Sequence, residues 1–327
     1  MKNKENILCL AYAADNHYAK FCGISLISLF EKNKIFDEIH VYLLDCGIEK
    51  DNKEKLTDIA NQYNRKIYFT EVENLVNNLN LNMGSRKLAI AAYARLFLGL
   101  LIPEDFSKVL YLDCDTIIHD DLIALWDTDL KEYSIAGIRD TVDKFFLKKI
   151  GLDKKEYYVN SGVLLINLDR WRSQSIHEEF LQMIEKFKGN VPHHDQGIIN
   201  AVCKEKKILS PQFNMTTNMY SFSIKTIENI YFMQDYYSQE ELDEAQKNPA
   251  IIHFTTGIYG RPWEENCTHP MKNTFLDMAQ VSPWTFKLSK DSRSKEVKIF
   301  GFFYNHFPQF IAETLYKWIA QVIHLKE

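Results

Sequence analysis

Short β-branched and aromatic runs alternate along the first two thirds of the chain with stretches whose apolar residues recur at helical spacing. This is the pattern of strand–helix units built around a mainly parallel sheet. It predicts strands over Ile7–Ala13, Ile39–Leu44, Lys66–Val72, Lys108–Leu112, Ser134–Ile138 and Val163–Asn167. Helices are predicted over Phe21–Lys32, Asn52–Tyr63, Arg86–Leu98 and Trp171–Phe187. The strands are apolar throughout, so the sheet is expected to be buried on both faces, an α/β sandwich. From about Ser282 the pattern changes. Basic residues interleave with aromatics through SPWTFKLSKDSRSKEVKIFGFFYNHFPQF, and a last helix is predicted over Gln309–His324 with Ile311, Leu315, Trp318 and Val322 on one face. No repeat or Gly/Ser linker is visible. The chain therefore reads as one domain over residues 1–281 and a helical, aromatic extension over 282–327.

Composition narrows the function classes. With 46% hydrophobic and 25% charged residues among 327, disorder and a bare coiled coil are excluded. Thirty-nine basic against 44 acidic side chains leave a net charge of −5, which argues against nucleic acid as a partner. The cysteines, Cys9, Cys22, Cys46, Cys114, Cys203 and Cys267, form no CxxC pair and sit mostly in apolar runs, as free thiols of a reducing compartment do. No apolar run reaches the roughly 18 to 20 residues of a spanning helix, so a cytoplasmic chain without a standard signal is expected.

The most informative chemistry is in KVLYLDCDTIIHDDL. A buried strand runs into two carboxylates, Asp113 and Asp115, which on an extended chain point to one side while Cys114 points away. At the carboxyl end of a strand in an open α/β sheet, such a pair suits a hard divalent cation that also holds phosphate oxygens. Turn-forming acids that cap the following segment are the other reading of the same spacing.

Around this pair the sequence resembles glycosyltransferase family 8, the bacterial lipooligosaccharide galactosyltransferase and glycogenin-like group, in YLDCDTIIHDDL followed by LWDTDL. Five further segments match that family in order: AYAADNHYA (11–19), AAYARLFLGLLIP (91–103), YYVNSGVLLINLDRW (157–171), HHDQGIINAV (193–202) and IIHFTTGIYGRPW (251–263). The resemblance covers roughly residues 7–265. It implies a GT-A, Rossmann-like fold and a retaining transfer of glucose or galactose from a UDP-sugar to a hydroxyl on a glycan, glycolipid or glycoprotein. It also implies Mn²⁺, or Mg²⁺ in its place, as cofactor.

Carried onto this chain, the resemblance implies that Asp113, Asp115 and His253 hold the metal, a neutral imidazole at a strand end being a good third ligand. It implies that Ala13, Asp15, His17 and Tyr18 meet the nucleotide, with Asp15 accepting from a uracil N3–H and Tyr18 offering a ring face; the family's lipooligosaccharide enzyme has Asn where His17 stands. Cys114 is counted among the substrate-binding positions. Arg95 is implied near the donor sugar and the metal-ligating acids, and its apolar surroundings independently call for an anion beside a buried guanidinium. A structural ion pair is the alternative there, and both can hold together. Asn160, Ser161, Asp195 and Gln196 are implied to contact the donor sugar and the reacting face, and Asp140 the acceptor. Gly257 and Arg261 are implied to clamp the diphosphate, with Arg261 where a Lys is usual and one additional residue in the loop.

Retention through a covalent glycosyl-enzyme needs a nucleophile opposite the leaving group. Gln196 is a poor one, and Asp195 is better explained as a hydroxyl ligand, so same-face attack is expected, with the UDP oxygen taking the acceptor proton. The alternative from another class is a noncatalytic sugar-nucleotide or glycan-binding protein on the same fold. A nucleotidyltransferase also uses paired acids, but no Gly-rich basic loop follows the first strand. In the tail, Lys287, Lys290, Arg293, Lys295 and Lys298 with Trp284, Phe300, Phe302 and Phe303 predict peripheral contact with the cytoplasmic leaflet. The alternative is that these aromatics pack on the catalytic domain or on a second subunit.

Overall fold

The segment ILCLAYAA forms β1 (Ile7–Ala14), and its residues are buried along almost the whole strand, which places it inside the sheet. In this computed structural model, which describes residues 6–72, 93–153, 156–308 and 310–316, β1 is flanked in parallel by β2 (Glu38–Asp45) and β4 (Lys108–Leu112). Beyond β2 lies β3 (Lys66–Glu71). On the other side follow β7 (Val163–Asn167), antiparallel to both of its neighbours, then β6 (Ile135–Gly137) and β8 (Lys206–Ile208). The order of the seven strands is β3-β2-β1-β4-β7-β6-β8. The helix Ala19–Lys32 packs its apolar side chains against this sheet and is buried from Phe21 to Phe30.

Two predicted features differ. The strand β3 is not buried on both faces; its residues are exposed or half-buried in alternation because it is a sheet edge, and Tyr68 there stacks on Tyr42 at 5.0 Å. The stretch Trp171–Phe187 is not one helix but two, Leu168–Ser173 and Ile176–Lys186, separated by Ser175 in the left-handed region (φ 50°). The helix predicted over Arg86–Leu98 falls partly outside the described residues; from 93 the chain is helical, tightens to a 3₁₀ turn at Arg95–Phe97, and continues as Leu98–Leu101.

A smaller sheet stands at the end of β4. There β5 (Thr116–Ile118) pairs antiparallel with β10 (Ile251–His253), which pairs in parallel with β9 (Met215–Thr216). Elements this short carry too few alternations to register as strands, yet they bring a distant histidine to the central strand's carboxyl end.

After Ser282 the chain lies against the body. Trp284, Phe286, Phe300 and Phe303 pack on the core, whereas Ile299, Phe302, Phe307 and Phe310 are exposed. The helix Lys295–His306 is opened by the Ser294 hydroxyl, which accepts from Val297 N, and residues 310–316 are helical again. The predicted helix positions Trp318 and Val322 lie outside the described residues. No helix among the described residues is long and apolar enough to cross a membrane, and the six cysteines are free thiols.

Candidate active site

The chain leaves β4 into a turn and not an extended segment, with Thr116 Oγ1 donating back to Asp113 O at 2.7 Å. The two acids still converge. Two pairings decide where they point. Leu112 lies opposite Val163, so that Asp113 N donates to Gly162 O at 2.7 Å; and Thr116 lies opposite His253, which sets the imidazole beside Asp115. His253 Nε2 is 3.2 Å from Asp115 Oδ1 and 3.8 Å from Asp113 Oδ2. One ligand atom from each of the three lies within 4.8 Å of the others. Gly162 leaves room for this meeting. A Cβ there would stand 2.2 Å from His253 Cε1 and 2.8 Å from Asp113 Oδ2.

Charge is finely set in this cluster. Burial raises the Asp115 pKa, but the charge and hydrogen bond of His253, with Arg261 behind them, overcome it and hold the carboxyl below its usual range. Burial conversely lowers the His253 pKa, and the two acids more than reverse that. Two carboxylate oxygens and an imidazole nitrogen are a donor set for a hard or borderline divalent cation, and a cation would displace the shared proton between His253 and Asp115.

Arg95 joins the acids to the HDQ helix, His194–Val202. Its Nη2 is 2.9 Å from Asp113 Oδ1 and its Nη1 donates to Ser161 O at 2.9 Å. Its Nε faces Asp195 Oδ2 at 3.0 Å as an ion pair, out of line for a hydrogen bond. The guanidinium also lies over the Tyr111 ring, and Tyr111 OH donates to Asp113 Oδ1 at 3.0 Å. Burial disfavours the charge on Arg95, while Asp113 and Asp195 outweigh burial and raise its pKa. For Asp195 burial raises the pKa above the carboxylate value in spite of Arg95. The ion pair and the position beside Asp113 thus occur together.

A second network starts at Asn160. Its Oδ1 accepts from Gly162 N (3.0 Å) and from Asn214 Nδ2 (2.9 Å), and its Nδ2 donates to Asp140 Oδ2 (3.1 Å). Gln196 Nε2 donates to the same Asp140 oxygen (2.9 Å), while Gln196 Oε1 accepts from Ser161 N (2.9 Å). The backbone groups of Gly162 and Ser161 set both amide orientations. Asn214 Oδ1 is thereby turned to His253 Nδ1 at 2.9 Å, so the imidazole donates from Nδ1 and keeps Nε2 toward the acids. Asn214 is fully buried and is the residue that sequence reasoning missed. Its only signal is a polar side chain between Phe213 and Met215.

The remaining sequence-named residues form the rim. Asp15 Oδ1 accepts from Tyr18 N (2.8 Å) and helps open the helix Ala19–Lys32; His17 is exposed, with its ring edge-on to Tyr18. Cys114 Sγ turns to Ala13 O (3.3 Å), away from the acids. Arg261 Nη1 donates to Tyr18 OH (3.3 Å), its Nη2 is 3.6 Å from Asp115 Oδ2, and its buried Nε has no partner among the described residues. Gly257 makes its close approach to Thr217, where a Cβ would stand 2.7 Å from Cγ2.

The model of glycosyl transferase family 8 matches residues 9–267, a span that contains every residue of this cluster. The chain belongs to glycosyl transferase family 8. This family 8 chain is 29% identical over 285 residues to general stress protein A of Bacillus subtilis, covering 86% of this chain and 96% of that one. It is 22% identical over 295 residues to a lipopolysaccharide 1,2-glucosyltransferase of Escherichia coli K12, covering 89% and 83%. Among solved structures, the galactosyltransferase LgtC in complex with donor and acceptor sugar analogues superposes with a TM-score of 0.67 at 28% identity, over 85% of this chain and 97% of that one. The family 8 glycosyltransferase thus has the GT-A fold, a mostly parallel mixed sheet with flanking helices. That fold and family carry a nucleotide-sugar donor, a glycan acceptor and, as a rule, a divalent metal.

Proposed function

We propose that this enzyme is a retaining hexosyltransferase that moves glucose or galactose from UDP to an acceptor hydroxyl, with Mn²⁺ or Mg²⁺ held by Asp113, Asp115 and His253. The observation that carries the reading is the convergence of these three ligand atoms within 4.8 Å at the sheet's rim, with Arg261 3.6 Å from Asp115 and its Nε without a partner among the described residues. A divalent cation there would neutralise the charge that develops as the diphosphate leaves. Arg261 would hold phosphate oxygens bidentately, and Tyr18, Asp15, His17, Ala13 and Cys114 would form the nucleotide wall.

Asn160, Ser161, Asp195 and Gln196 face the position of the donor hexose, and Asp140 the acceptor. Asp195 is committed to Arg95 and Gln196 bears no charge, which supports same-face substitution. The bond from the anomeric carbon to the phosphate oxygen breaks, the acceptor oxygen bonds to that carbon on the same face, and the acceptor proton passes to the departing phosphate.

Purified protein should release UDP from UDP-glucose or UDP-galactose only when Mn²⁺ or Mg²⁺ is supplied, and Asp113→Asn should lose this. Binding of UDP without turnover of any donor would instead favour a noncatalytic sugar-nucleotide-binding protein. We place the transferase domain at 1–281 and the extension at 282–327. The exposed Ile299, Phe302, Phe307 and Phe310 beside Lys295 and Lys298 support peripheral contact with an anionic cytoplasmic leaflet. Co-sedimentation with phosphatidylglycerol vesicles, lost on replacing the four apolar residues by Ser, tests it.

A further inference from the structure

The match to the family ends at residue 267, yet the chain beyond it is wired into both walls of the proposed nucleotide site. One end is Trp284. Its indole N–H donates to Asn52 Oδ1 at 2.8 Å, and Asn52 Nδ2 donates to Asn16 Oδ1 at 2.7 Å. The same Asn16 oxygen accepts from Glu49 N at 3.0 Å. Asn16 lies between Asp15 and His17, so the indole braces the loop proposed to meet the base. The body is shaped for that ring: Trp284 occupies the place where a Cβ on Gly23 would stand. A glycine inside a buried helix is destabilising relative to alanine, so its presence under the indole marks a fitted contact.

The other end grips the loop that carries Arg261. Ser289 N donates to Trp263 O (2.9 Å), and Ser289 O accepts from Glu265 N (2.8 Å). Ser292 Oγ donates to Glu264 Oε1, and the second oxygen of Glu264 accepts from Arg261 N at 3.4 Å. Arg293 is held by both Asp291 oxygens (3.0 and 2.9 Å) and donates to Ile258 O and Asn266 O, spanning the loop from end to end. Gly260 lies beneath it in the left-handed region (φ 72°), where a Cβ would meet Arg293 Nε at 3.3 Å.

We propose that residues 284–293 are a strap that positions the nucleotide site, Trp284 acting through Asn52 and Asn16 on the base-side loop and Arg293 and Ser292 acting on the phosphate-side loop that carries Arg261. The two ends have separable effects. Base recognition depends on the Trp284 end, and diphosphate recognition on the Arg293 end. This rests on the UDP-donor reading for its ligand, and on hydrogen bonds alone for its mechanics.

The test uses full-length Trp284→Phe, which keeps the ring in its notch, with Arg293→Ala and the milder Ser292→Ala. Titration calorimetry with uridine and with UDP plus Mn²⁺ is run beside amide hydrogen exchange. Arg293→Ala should weaken UDP by about tenfold and leave uridine unchanged, with Ser292→Ala in the same direction, as expected when a phosphate ligand loses its backing. Trp284→Phe should weaken uridine and UDP by one common factor. Exchange should quicken at residues 257–266 in the first pair and at Glu49 in the last. Wild-type exchange in all three, or an equal loss of uridine and UDP in Arg293→Ala, overturns the strap. If the wild-type protein binds neither ligand, the donor reading fails while the exchange data still decide the strap.

Discussion

Asn214 presents its amide oxygen to His253 Nδ1 at 2.9 Å and is itself oriented by Asn160, 2.9 Å away. This relay couples the third proposed metal ligand to the residue proposed to bind the donor sugar. Replacing Asn214 by Leu keeps the branched outline of the side chain, removes both amide hydrogen bonds and frees the ring to turn. Affinity for Mn²⁺ in the presence of UDP should fall by about tenfold or more, read by titration calorimetry. An unchanged affinity would show that the imidazole needs no such orientation.

Gly162 is small because His253 and Asp113 crowd the place where a side chain would begin. Gly162→Ala should therefore part the imidazole from the two carboxylates without disturbing the sheet, whose strand β7 starts at the next residue. UDP release should drop by at least about a hundredfold while the circular dichroism spectrum stays that of the parent. Near-normal release would mean that His253 is dispensable.

Arg95 compensates two carboxylates, the half-buried Asp113 and the buried Asp195. Arg95→Met should cost about 3–5 kcal/mol of stability in urea unfolding, because Asp113 and Asp195 lose their counter-charge. Arg95→Lys restores the charge but not the planar fork. It should regain part of the stability and little of the activity; equal recovery of both would argue that Arg95 has no geometric role.

His269 is buried among the rings of Tyr220, Phe254 and Tyr259, and burial pushes its pKa down to about 4. The unfolded chain binds a proton below about pH 6.5 that the folded chain refuses until near pH 4. Stability from this group is complete above pH 6.5 and declines as pH falls through that window, by on the order of 3 kcal/mol in all. His269→Gln, which cannot titrate, should lower the melting temperature at pH 7.5 and lower it less at pH 5. A pH-independent difference would show that His269 titrates alike in the folded and the unfolded chain.

Much of the fold was legible because its signals are local. Buried strands announce themselves by continuous apolar runs, and the acids of YLDCDT stand at the end of one. The two-helix split at Ser175 was not legible, since no Gly or Pro marks it and only a left-handed residue interrupts the backbone. Nor was the exposure of β3, which stands at the end of the sheet order among the described residues. Of the site, Arg95, Asp113, Asp115, Asn160, Asp195, Gln196 and His253 stood in motifs, whereas Asn214 did not: its importance comes entirely from whom it meets.

By itself the chain's order of residues determined the family, the alternation of strands and helices, and the presence of two acids at the end of β4, because each depends on neighbours within a few positions. Tertiary structure alone decided which ring nitrogen of His253 faces those acids, how the amides of Asn160, Asn214 and Gln196 are turned, and that Trp284 and Arg293 reach back to loops far away in the chain. The physical reason is that strand register and hydrogen-bond direction are set by partners brought together only on folding, and no local pattern encodes them.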